Sequence, residues 1–214
     1  MKQDLKSQLS RQKILDSGLE LFSSKGYRAT SIKDIAKHAE ISVGRLYHHF
    51  QTKLEIFTHL LDDYWKILAD PEQPLNKLIL QASFPDDIPQ LAQAIRLIVE
   101  ENSAYIMLIY IDVIEFRGEH INRIYSDMAD NFRAAYSDRF DELKQSGRLN
   151  ENADPLFAVM MTYRFFFHYY LVENSFGVKD HFGFSGDAMT EKASELILHG
   201  LLARNQNETH QEEG

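Results

Sequence analysis

The 214-residue chain contains no cysteine. A disulfide framework, a thiolate zinc site and a cysteine nucleophile are therefore excluded, and a reducing compartment fits this composition. Long apolar runs are also missing, because the most apolar stretch, residues 104–111, is followed by Asp112 and is too short to span a bilayer. The first four residues, Met-Lys-Gln-Asp, precede no apolar stretch and do not look like a signal peptide. We therefore expect a soluble, cytoplasmic protein with no membrane partner.

Motifs of several enzyme classes are absent as well. Residues 183–186, Gly-Phe-Ser-Gly, lack the spacing of a nucleophile elbow, and there is no glycine-rich phosphate loop. A di-iron helical bundle would need Glu-x-x-His pairs, and none of the nine histidines has a glutamate three residues before it. Glu55 with His59 and Glu195 with His199 have the spacing of surface charge pairs on a helix. We therefore predict no catalytic residue, no metal site and no cofactor.

Charge is distributed unevenly along the chain. Residues 1–53 hold ten Lys/Arg and five Asp/Glu, a net charge of +5; residues 54–214 hold 13 and 27, a net charge of −14, and the two add to the −9 of the whole chain. A basic segment joined to an acidic body is what a protein that meets DNA with one end would show, although ordinary surface scatter would also produce it.

The apolar periodicity predicts an all-α protein. No alternating strand pattern of any length and no internal repeat occurs, and the tail, residues 205–214, is expected to be flexible. Two short helices are predicted within residues 30–50, an aromatic-rich segment follows at 103–116, and the other helices are predicted at about residues 7–25, 52–69, 74–82, 87–102, 119–146, 155–174 and 187–203.

Residues 30–50 carry the most informative pattern. Ile32, Ile35 and Ala36 form one apolar face, Leu46 and Phe50 form another, and a tight turn joins the two short helices. This is the layout of a helix-turn-helix, which places its second helix in the major groove of DNA.

The segment from about Arg11 to Phe57 resembles the N-terminal domain of the TetR family of bacterial transcriptional regulators. The resemblance rests on Ser-x-Gly-x-Leu-Tyr-x-His-Phe-x-x-Lys, present from Ser42 to Lys53, and on the preceding Ile14-Leu15, Leu19-Glu20-Leu21-Phe22, Gly26-Tyr27, Thr30-Ser31 and Ile35-Ala36. Glu40 stands where the family usually has a glycine in the turn. The resemblance implies an N-terminal helix-turn-helix domain, residues 1–53, and a helical effector-binding and dimerisation domain, residues 54–204.

The DNA contacts are expected on the second short helix. Arg45 is placed to reach O6 and N7 of a guanine, Val43 could touch a thymine methyl, and Gly44 permits close approach of the backbone. The resemblance adds phosphate contacts by Thr30 or Ser31, Tyr47, His48 and Lys53. Thr30, Ser42 and Thr52 are also expected to cap helices, with DNA contact as a second role for Ser42.

Aromatic residues crowd the C-terminal part of the chain. In a TetR-like regulator this region encloses a ligand cavity, and polar side chains among apolar ones would orient a small-molecule effector there. Core packing explains each of these aromatic residues equally well. The resemblance predicts that the ligand-binding residues are Trp65, Tyr105, Leu108, Asp112, Phe165, His168 and Tyr169.

The last two helices predict a homodimer. Residues 155–172 include a single charged side chain, Arg164, and carry apolar residues around most of the circumference, so this helix must be buried on more than one side. A buried helix of a monomer would satisfy the same pattern. In the TetR family the two helices form a four-helix bundle with their symmetry mates, which predicts an interface containing Met160, Phe167, Leu196 and Gly200.

We therefore interpret the chain as a TetR-like regulator, a repressor that leaves a palindromic double-stranded operator when a small molecule binds. The connecting helix, from Thr52 to about residue 69, would carry the signal between cavity and DNA. The alternatives are a regulator with a protein effector or none, a helical binding protein that does not act on DNA, and a ligand-processing enzyme.

Overall fold

The computed structural model describes residues 2–203, with side chains for residues 5–122 and 125–203. Within these residues it contains no strand, only an isolated bridge between Leu149 and Leu202. The all-α prediction is confirmed, and the predicted tail, residues 205–214, lies outside the described part. The helices are α1 (Lys2–Lys25), α2 (Ile32–His38), α3 (Val43–His49), α4 (Lys53–Ala69), α5 (Pro74–Gln81), α6 (Ile88–Glu101), α7 (Ser103–Phe116), α8 (Asn122–Gln145), α9 (Pro155–Asn174) and α10 (Gly186–Leu201).

Two helix starts differ from the sequence expectations. α1 begins at Lys2 rather than near residue 7, so it has more than a turn of additional helix at its N-terminus. α8 begins at Asn122 rather than near residue 119, because Arg117 and Gly118 adopt positive φ values of 59° and 77° and end the preceding helix with a turn. None of the helices in the described residues is long and apolar enough to cross a membrane.

Short-range capping explains where α2, α3, α4 and α9 begin. Ser31, Ser42, Thr52 and Asp154 each accept a hydrogen bond through the side chain from the backbone amide three residues later. The capping box expected at Thr52 is only half formed, because the Glu55 carboxylate accepts from the amide of Gln51 instead of that of Thr52.

The first compact unit comprises Met1–Asp70 and Asn102–Ser126. In it α1 packs against α2, α3, α4 and α7, and α4 also packs against α7. Its core contains Ile14, Phe22, Leu46, Ile56 and Phe57, each with no exposed surface. The boundary predicted between residues 53 and 54 falls inside this unit, because α4 begins at Lys53 and is packed along α1 and α7.

The second unit comprises Pro71–Glu101 and the chain from Asp127 onwards. Its central pair is α6 and α9, and α5 and α10 pack on α6. Ile88, Leu91 and Ile95 of α6 and Val159 and Phe166 of α9 are fully buried. The apolar sequence of α9 is therefore explained partly by its packing within this unit.

Candidate nucleic-acid interface

The α2–α3 pair is a helix-turn-helix held by its own small core. Ile35 and Ala36 of α2 and Leu46 of α3 are buried, and Phe50 directly after α3 is 2% exposed. These apolar side chains take one side of α3 out of solvent, so the opposite side of the helix is presented outward.

The turn between the two helices requires a left-handed residue, and that residue is Glu40. Its φ is 55°, while the amide of Ile41 donates to the carbonyl of Ala36 at 3.0 Å to close the helix end. A glycine would occupy this conformation without the steric cost of a Cβ. The residue at which the sequence departs from the family pattern therefore adopts the glycine-like backbone.

The outward side of α3 carries the predicted base-contacting residues. Gly44, Arg45, Tyr47 and His48 are exposed and Val43 is half-buried. A Cβ placed on Gly44 would have no neighbour within 4 Å, so packing within the chain does not require a glycine here. A glycine at this position would instead let a partner approach the backbone closely. The Arg45 guanidinium donates to the backbone carbonyl of Lys6 in the extended N-terminal part of α1 at 3.3 Å. Gly44, Arg45, Tyr47 and His48 therefore lie together on the solvent-exposed side of α3.

Two of the predicted phosphate-contacting residues have internal partners. Thr30 is 1% exposed and its hydroxyl donates to the carbonyls of Gly26 and Leu21 at 2.9 and 3.2 Å. Ser31 is exposed, but its side chain caps α2 and is hydrogen-bonded to the Asp34 carboxylate. Thr30 therefore holds the α1–α2 loop, residues 26–31, and only Ser31 of this pair presents its side chain to solvent.

Lys53 also binds the α1–α2 loop. Its Nζ donates to the carbonyls of Tyr27 and Thr30 at 2.7 and 2.8 Å and lies 4.0 Å from the centre of the Tyr27 ring. Partial burial lowers the pKa of this ammonium, against the opposing effect of the Glu115 charge. Because an ammonium has three donors, one remains for a phosphate.

Sequence reasoning missed Glu115, at the end of α7. Its carboxylate accepts from the backbone amide of Tyr27 at 3.1 Å and from that of Arg28 at 3.1 Å, and it also pairs with the Arg28 guanidinium at 3.6 Å. The two partners are 88 and 87 positions away in the sequence, so no local motif could have revealed the contact. Glu115 and Lys53 thus hold the same loop from two different helices.

An aromatic cluster lies beside these polar contacts. The Tyr27 ring packs against Phe57 of α4 and Phe116 of α7, with centroid distances of 5.2 and 4.9 Å, and Phe22 of α1 lies 5.5 Å away. Three helices and the loop that precedes α2 therefore share one apolar contact. The position of the helix-turn-helix is set by α4 and α7 together.

Comparison with known proteins agrees with this geometry. Residues 14–60 match the family model described as "Bacterial regulatory proteins, tetR family". The match covers 47 of the 214 residues, so it is the N-terminal part of the chain that is similar to the tetR family.

Three known proteins illustrate what the chain is similar to. It is 34% identical over 121 residues to the HTH-type transcriptional regulator AcrR of Shigella flexneri and 30% identical over 128 residues to the HTH-type transcriptional repressor KstR2 of Mycolicibacterium smegmatis. These matches cover 53% and 55% of this chain, and the chain spans only 53% and 62% of the two relatives. The structure of the ketosteroid transcriptional regulator KstR2 of Mycobacterium tuberculosis shares the fold, with TM-score 0.53, 21% identity and coverage of 91% of this chain and 95% of that one.

The residues predicted to bind an effector are divided between the two units. Trp65, Tyr105, Leu108 and Asp112 belong to the first unit, and Phe165, His168 and Tyr169 belong to the second. In the first unit the rings of Tyr64 and Tyr105 are stacked at 5.7 Å and Trp65 lies 5.3 Å from Tyr64.

Asp112, the only acidic residue in the predicted ligand set, has partners within the chain. It has no exposed surface, and its carboxylate is 2.6 Å from Nδ1 of His120 and accepts from the His120 amide at 3.2 Å. This pairing closes the turn after α7. Asp112 therefore has a structural role whether or not it meets a ligand.

The three predicted ligand residues of the second unit differ in accessibility. Tyr169 is 1% exposed and donates to the Glu173 carboxylate at 3.0 Å, and its ring stacks on His181 at 4.8 Å. Phe165 packs along Tyr169 at 6.1 Å, whereas His168 is exposed. The structure brings Phe165 and Tyr169 together and leaves His168 at the surface of the unit.

The residues predicted for the dimer interface are accessible. Leu196 is 77% exposed, Gly200 is exposed with no atom within 4 Å of an added Cβ, and Met160 and Phe167 are half-buried. Phe157 and Met161 of α9 are exposed as well. α9 and α10 thus carry apolar surface that packing within the unit does not cover.

Proposed function

We propose that the chain is a homodimeric DNA-binding transcriptional repressor that leaves a palindromic operator when a small molecule binds its C-terminal part. The observation that carries this proposal is the polar outer side of α3, where Arg45, Tyr47 and His48 are exposed around an open Gly44. A short helix presented in this way by a helix-turn-helix fits the major groove.

Electrostatics support DNA as the partner of this end of the chain. Residues 1–53 have a net charge of +5, against −14 for the remainder. The basic part would attract phosphates, while the acidic part would be repelled from them, which orients the molecule with α3 towards the duplex. The relatives AcrR and KstR2 carry the names of a transcriptional regulator and a transcriptional repressor.

The exposed apolar surface of α9 and α10 supports a two-fold dimer. Two copies of α3 related by such an axis would read two half-sites about one helical turn of DNA apart, roughly 34–36 Å. A palindromic operator follows from that symmetry. Its spacing is fixed by the dimer, so any change in the distance between the two α3 helices weakens binding.

The contacts of the α1–α2 loop suggest how a ligand would release DNA. Lys53 begins α4 and Glu115 ends α7, and both bind this loop. Trp65 lies further along α4, and Tyr105 lies near the start of α7. A ligand that fits best when either helix is displaced would therefore move the helix-turn-helix through these two side chains.

The proposal is tested by selecting DNA from a random duplex library with the full chain and measuring the selected fragments by gel shift. We expect a palindromic sequence whose affinity falls steeply with salt. Arg45→Ala should weaken binding to it, whereas Arg133→Ala, the same change at an exposed arginine of α8, should have little effect. Failure to enrich any sequence would contradict DNA recognition.

Release by an effector needs its own measurement. Small apolar and amphipathic molecules would be screened by the fluorescence of Trp65, the only tryptophan, and then by gel shift on the selected fragment. An effector should weaken DNA binding by the same factor by which DNA weakens its own binding. Ligands that bind tightly and leave DNA affinity unchanged would favour a regulator without ligand-driven release.

A further inference from the structure

The second unit contains a buried carboxyl group and a buried hydroxyl group without hydrogen-bond partners. Asp87 is 6% exposed and Tyr136 has no exposed surface. Among the described residues, neither oxygen of the Asp87 carboxyl group nor the Tyr136 hydroxyl has a hydrogen-bond partner on another residue. Buried polar groups are nearly always paired, because an unpaired group loses its hydration without compensation. Two buried polar groups of this kind in one unit indicate that a ligand could supply their hydrogen-bond partner.

The two groups lie close enough to act on each other electrostatically. Burial raises the pKa of the Asp87 carboxyl, and the nearby Asp86 carboxylate adds to this; a hydrogen bond from the backbone amide of Asp87 itself and the Arg139 charge oppose it. Burial also raises the pKa of the Tyr136 hydroxyl, to which the Asp87 charge contributes. Asp87 is therefore a carboxyl group whose ionised form is poorly stabilised by its own surroundings.

Three aromatic rings contact the ring of Tyr136. Phe132 and Phe140, one turn before and one turn after Tyr136 on α8, have rings stacked with the Tyr136 ring at centroid distances of 6.3 and 5.6 Å. The Phe84 ring meets the Tyr136 ring edge-on at 6.2 Å. Phe84 is fully buried. Aromatic faces next to a carboxylate attract an organic cation, because the face of each ring carries negative charge.

An open pocket lies at residues adjacent in sequence to this pair. Its volume is about 460 Å³, and it is lined by Gln81, Ala82, Ser83, Asp86, Asp138, Arg139 and Glu142. Arg139 links the pocket to the buried groups, because its guanidinium donates to the Phe84 carbonyl at 3.2 Å and its charge acts on Asp87.

The balance of charge here favours a cation. Asp86 binds both Arg139 and Arg148, and Glu142 pairs with Arg139 at 2.8 Å. Counting Asp86, Asp87, Asp138 and Glu142 as −4 and the two arginines as +2 gives a net charge of −2. Each arginine already has a carboxylate partner, so the unpaired Asp87 is left in excess. An anionic ligand would be repelled, and a neutral one would leave the buried charge uncompensated.

We propose that Asp87 and Tyr136 are the polar end of a binding site for a ligand that carries a protonated primary amine on an apolar body, and that the adjacent pocket is its route inward. The ammonium would donate to the Asp87 carboxylate and to the Tyr136 oxygen, and the rings would hold the apolar body. The identification of this ligand as the effector rests on the proposed function. The binding of the ligand is independent of that function.

The test compares two probes of equal shape, 4-phenylbutylamine and 4-phenylbutan-1-ol, by titration calorimetry on the full chain near neutral pH. We expect the amine to bind measurably more tightly than the alcohol. Asp87→Asn should weaken the amine by about tenfold or more, as the loss of a charge-assisted hydrogen bond implies, and should leave the alcohol unchanged. Tyr136→Phe, which retains the ring, should cause a smaller loss in amine affinity.

Asp141→Asn is the matched control, since Asp141 is an exposed carboxylate of α8 that is not among the residues lining the pocket. It should change amine affinity by less than about twofold, the effect of one screened surface charge. Thermal unfolding of each variant shows that it is folded. Equal binding of amine and alcohol, amine affinity unchanged in folded Asp87→Asn and Tyr136→Phe, or no binding of the amine would overturn the proposal.

The same samples separate this site from the proposed function. Calorimetry is done without DNA, and gel shifts on the selected fragment are done with and without the amine. Binding that depends on Asp87 but leaves DNA affinity unchanged would support the site and contradict its role in release. DNA recognition without amine binding would support the proposed regulatory function and contradict the proposed amine-binding site.

Discussion

The carboxylate of Glu115 accepts the backbone amide of Tyr27 at 3.1 Å, and through this contact the end of α7 holds the loop in front of α2. The adjacent amide of Arg28 binds the other carboxylate oxygen. Two backbone donors that the α1–α2 loop cannot satisfy by itself are thereby paired. The connecting helix α4 was predicted to carry the signal to the helix-turn-helix, and the structure adds α7 as a second helix with a direct polar contact to it.

Removing this carboxylate should loosen the loop. We expect Glu115→Ala to lower the free energy of unfolding by about 1 to 2 kcal/mol, because two amides lose a charged acceptor. Urea unfolding measures the loss, and hydrogen exchange of the Tyr27 and Arg28 amides should become faster. Glu119→Ala, at a nearby exposed glutamate, is the control and should be nearly neutral. Unchanged exchange in Glu115→Ala would show that the contact does not order the loop.

Replacing Glu40 with glycine should stabilise the protein. Its φ of 55° places a side chain in the left-handed region, so Glu40→Gly should raise the free energy of unfolding by about 0.5 to 1 kcal/mol. Thermal unfolding of the two proteins measures the gain. Lys37→Gly, three residues earlier and inside α2, is the control and should destabilise by about 1 kcal/mol. Destabilisation by Glu40→Gly would mean that the glutamate side chain makes a contribution larger than the backbone strain.

Substitutions of Arg45 and Lys53 should affect DNA binding in different ways. Arg45→Ala should relax the preference at one position of each half-site, since a bidentate guanine contact discriminates by about 1 to 3 kcal/mol. Lys53→Ala should weaken all sequences alike and reduce the salt slope by about one. Because the Lys53 ammonium also binds the Tyr27 and Thr30 carbonyls, this variant should lose stability as well. Equal losses on every sequence for Arg45→Ala would assign it to the phosphate backbone.

The dimer should depend on the exposed side of α9 and α10. Leu196→Glu is expected to give monomers that no longer bind the operator, because it places a charge at an apolar position that is 77% exposed in a single chain. Leu80→Glu, at a leucine of α5 that is 71% exposed, is the matched control and should remain dimeric. Sedimentation of both variants decides the matter, and a dimeric Leu196→Glu would place the interface elsewhere.

Asp87 predicts a specific dependence of stability on pH. Its pKa is raised by burial, so its stabilising contribution is present below the ordinary aspartate pKa and is lost as the pH rises through the raised value. Asp86 and Arg139 act on this pKa in opposite directions. We expect Asp87→Asn to stabilise the protein by about 1 kcal/mol at neutral pH and to have little effect at about pH 3.5.

Urea unfolding at the two pH values measures this difference. Asp138→Asn, which removes an exposed carboxylate of the same pocket, should show no comparable gain. Destabilisation by Asp87→Asn at neutral pH would mean that the ionised carboxylate has a partner in solution.

Much of the helix-turn-helix could be predicted because its determinants are local. Apolar spacing within residues 30–50, the cap at Ser42 and the exposed Arg45 all depend on neighbours within a few positions. The cap expected at Thr30 is wrong, because Ser31 caps α2 and the Thr30 hydroxyl binds the carbonyls of Gly26 and Leu21. The bounds of α9 follow from the same local signals and agree with the sequence prediction, whereas residues 103–116, noted in the sequence only as an aromatic-rich segment, form α7. The left-handed turn could be located from the position of Glu40 in the motif.

The ligand residues could not be predicted with the same success, because an aromatic side chain looks the same in sequence whether it lines a cavity or fills a core. Asp112 and Tyr169 are examples, since each is buried with a partner inside its own unit. The unpaired Asp87 carries no signal in the sequence either. It stands next to Asp86, and only the fold shows that one carboxylate binds two arginines while the other has none.

The sequence by itself therefore determined the helical class, the tetR-type helix-turn-helix and the outward side of α3, because short-range periodicity and capping specify them. Tertiary structure alone decided that Glu115 and Lys53 hold the α1–α2 loop and that the buried Asp87 carboxyl and Tyr136 hydroxyl have no hydrogen-bond partner on another residue of the described part of the chain. Contacts of that kind join residues tens of positions apart. They exist only after the helices have packed, so the strength of each depends on burial and distance, which a linear sequence does not contain.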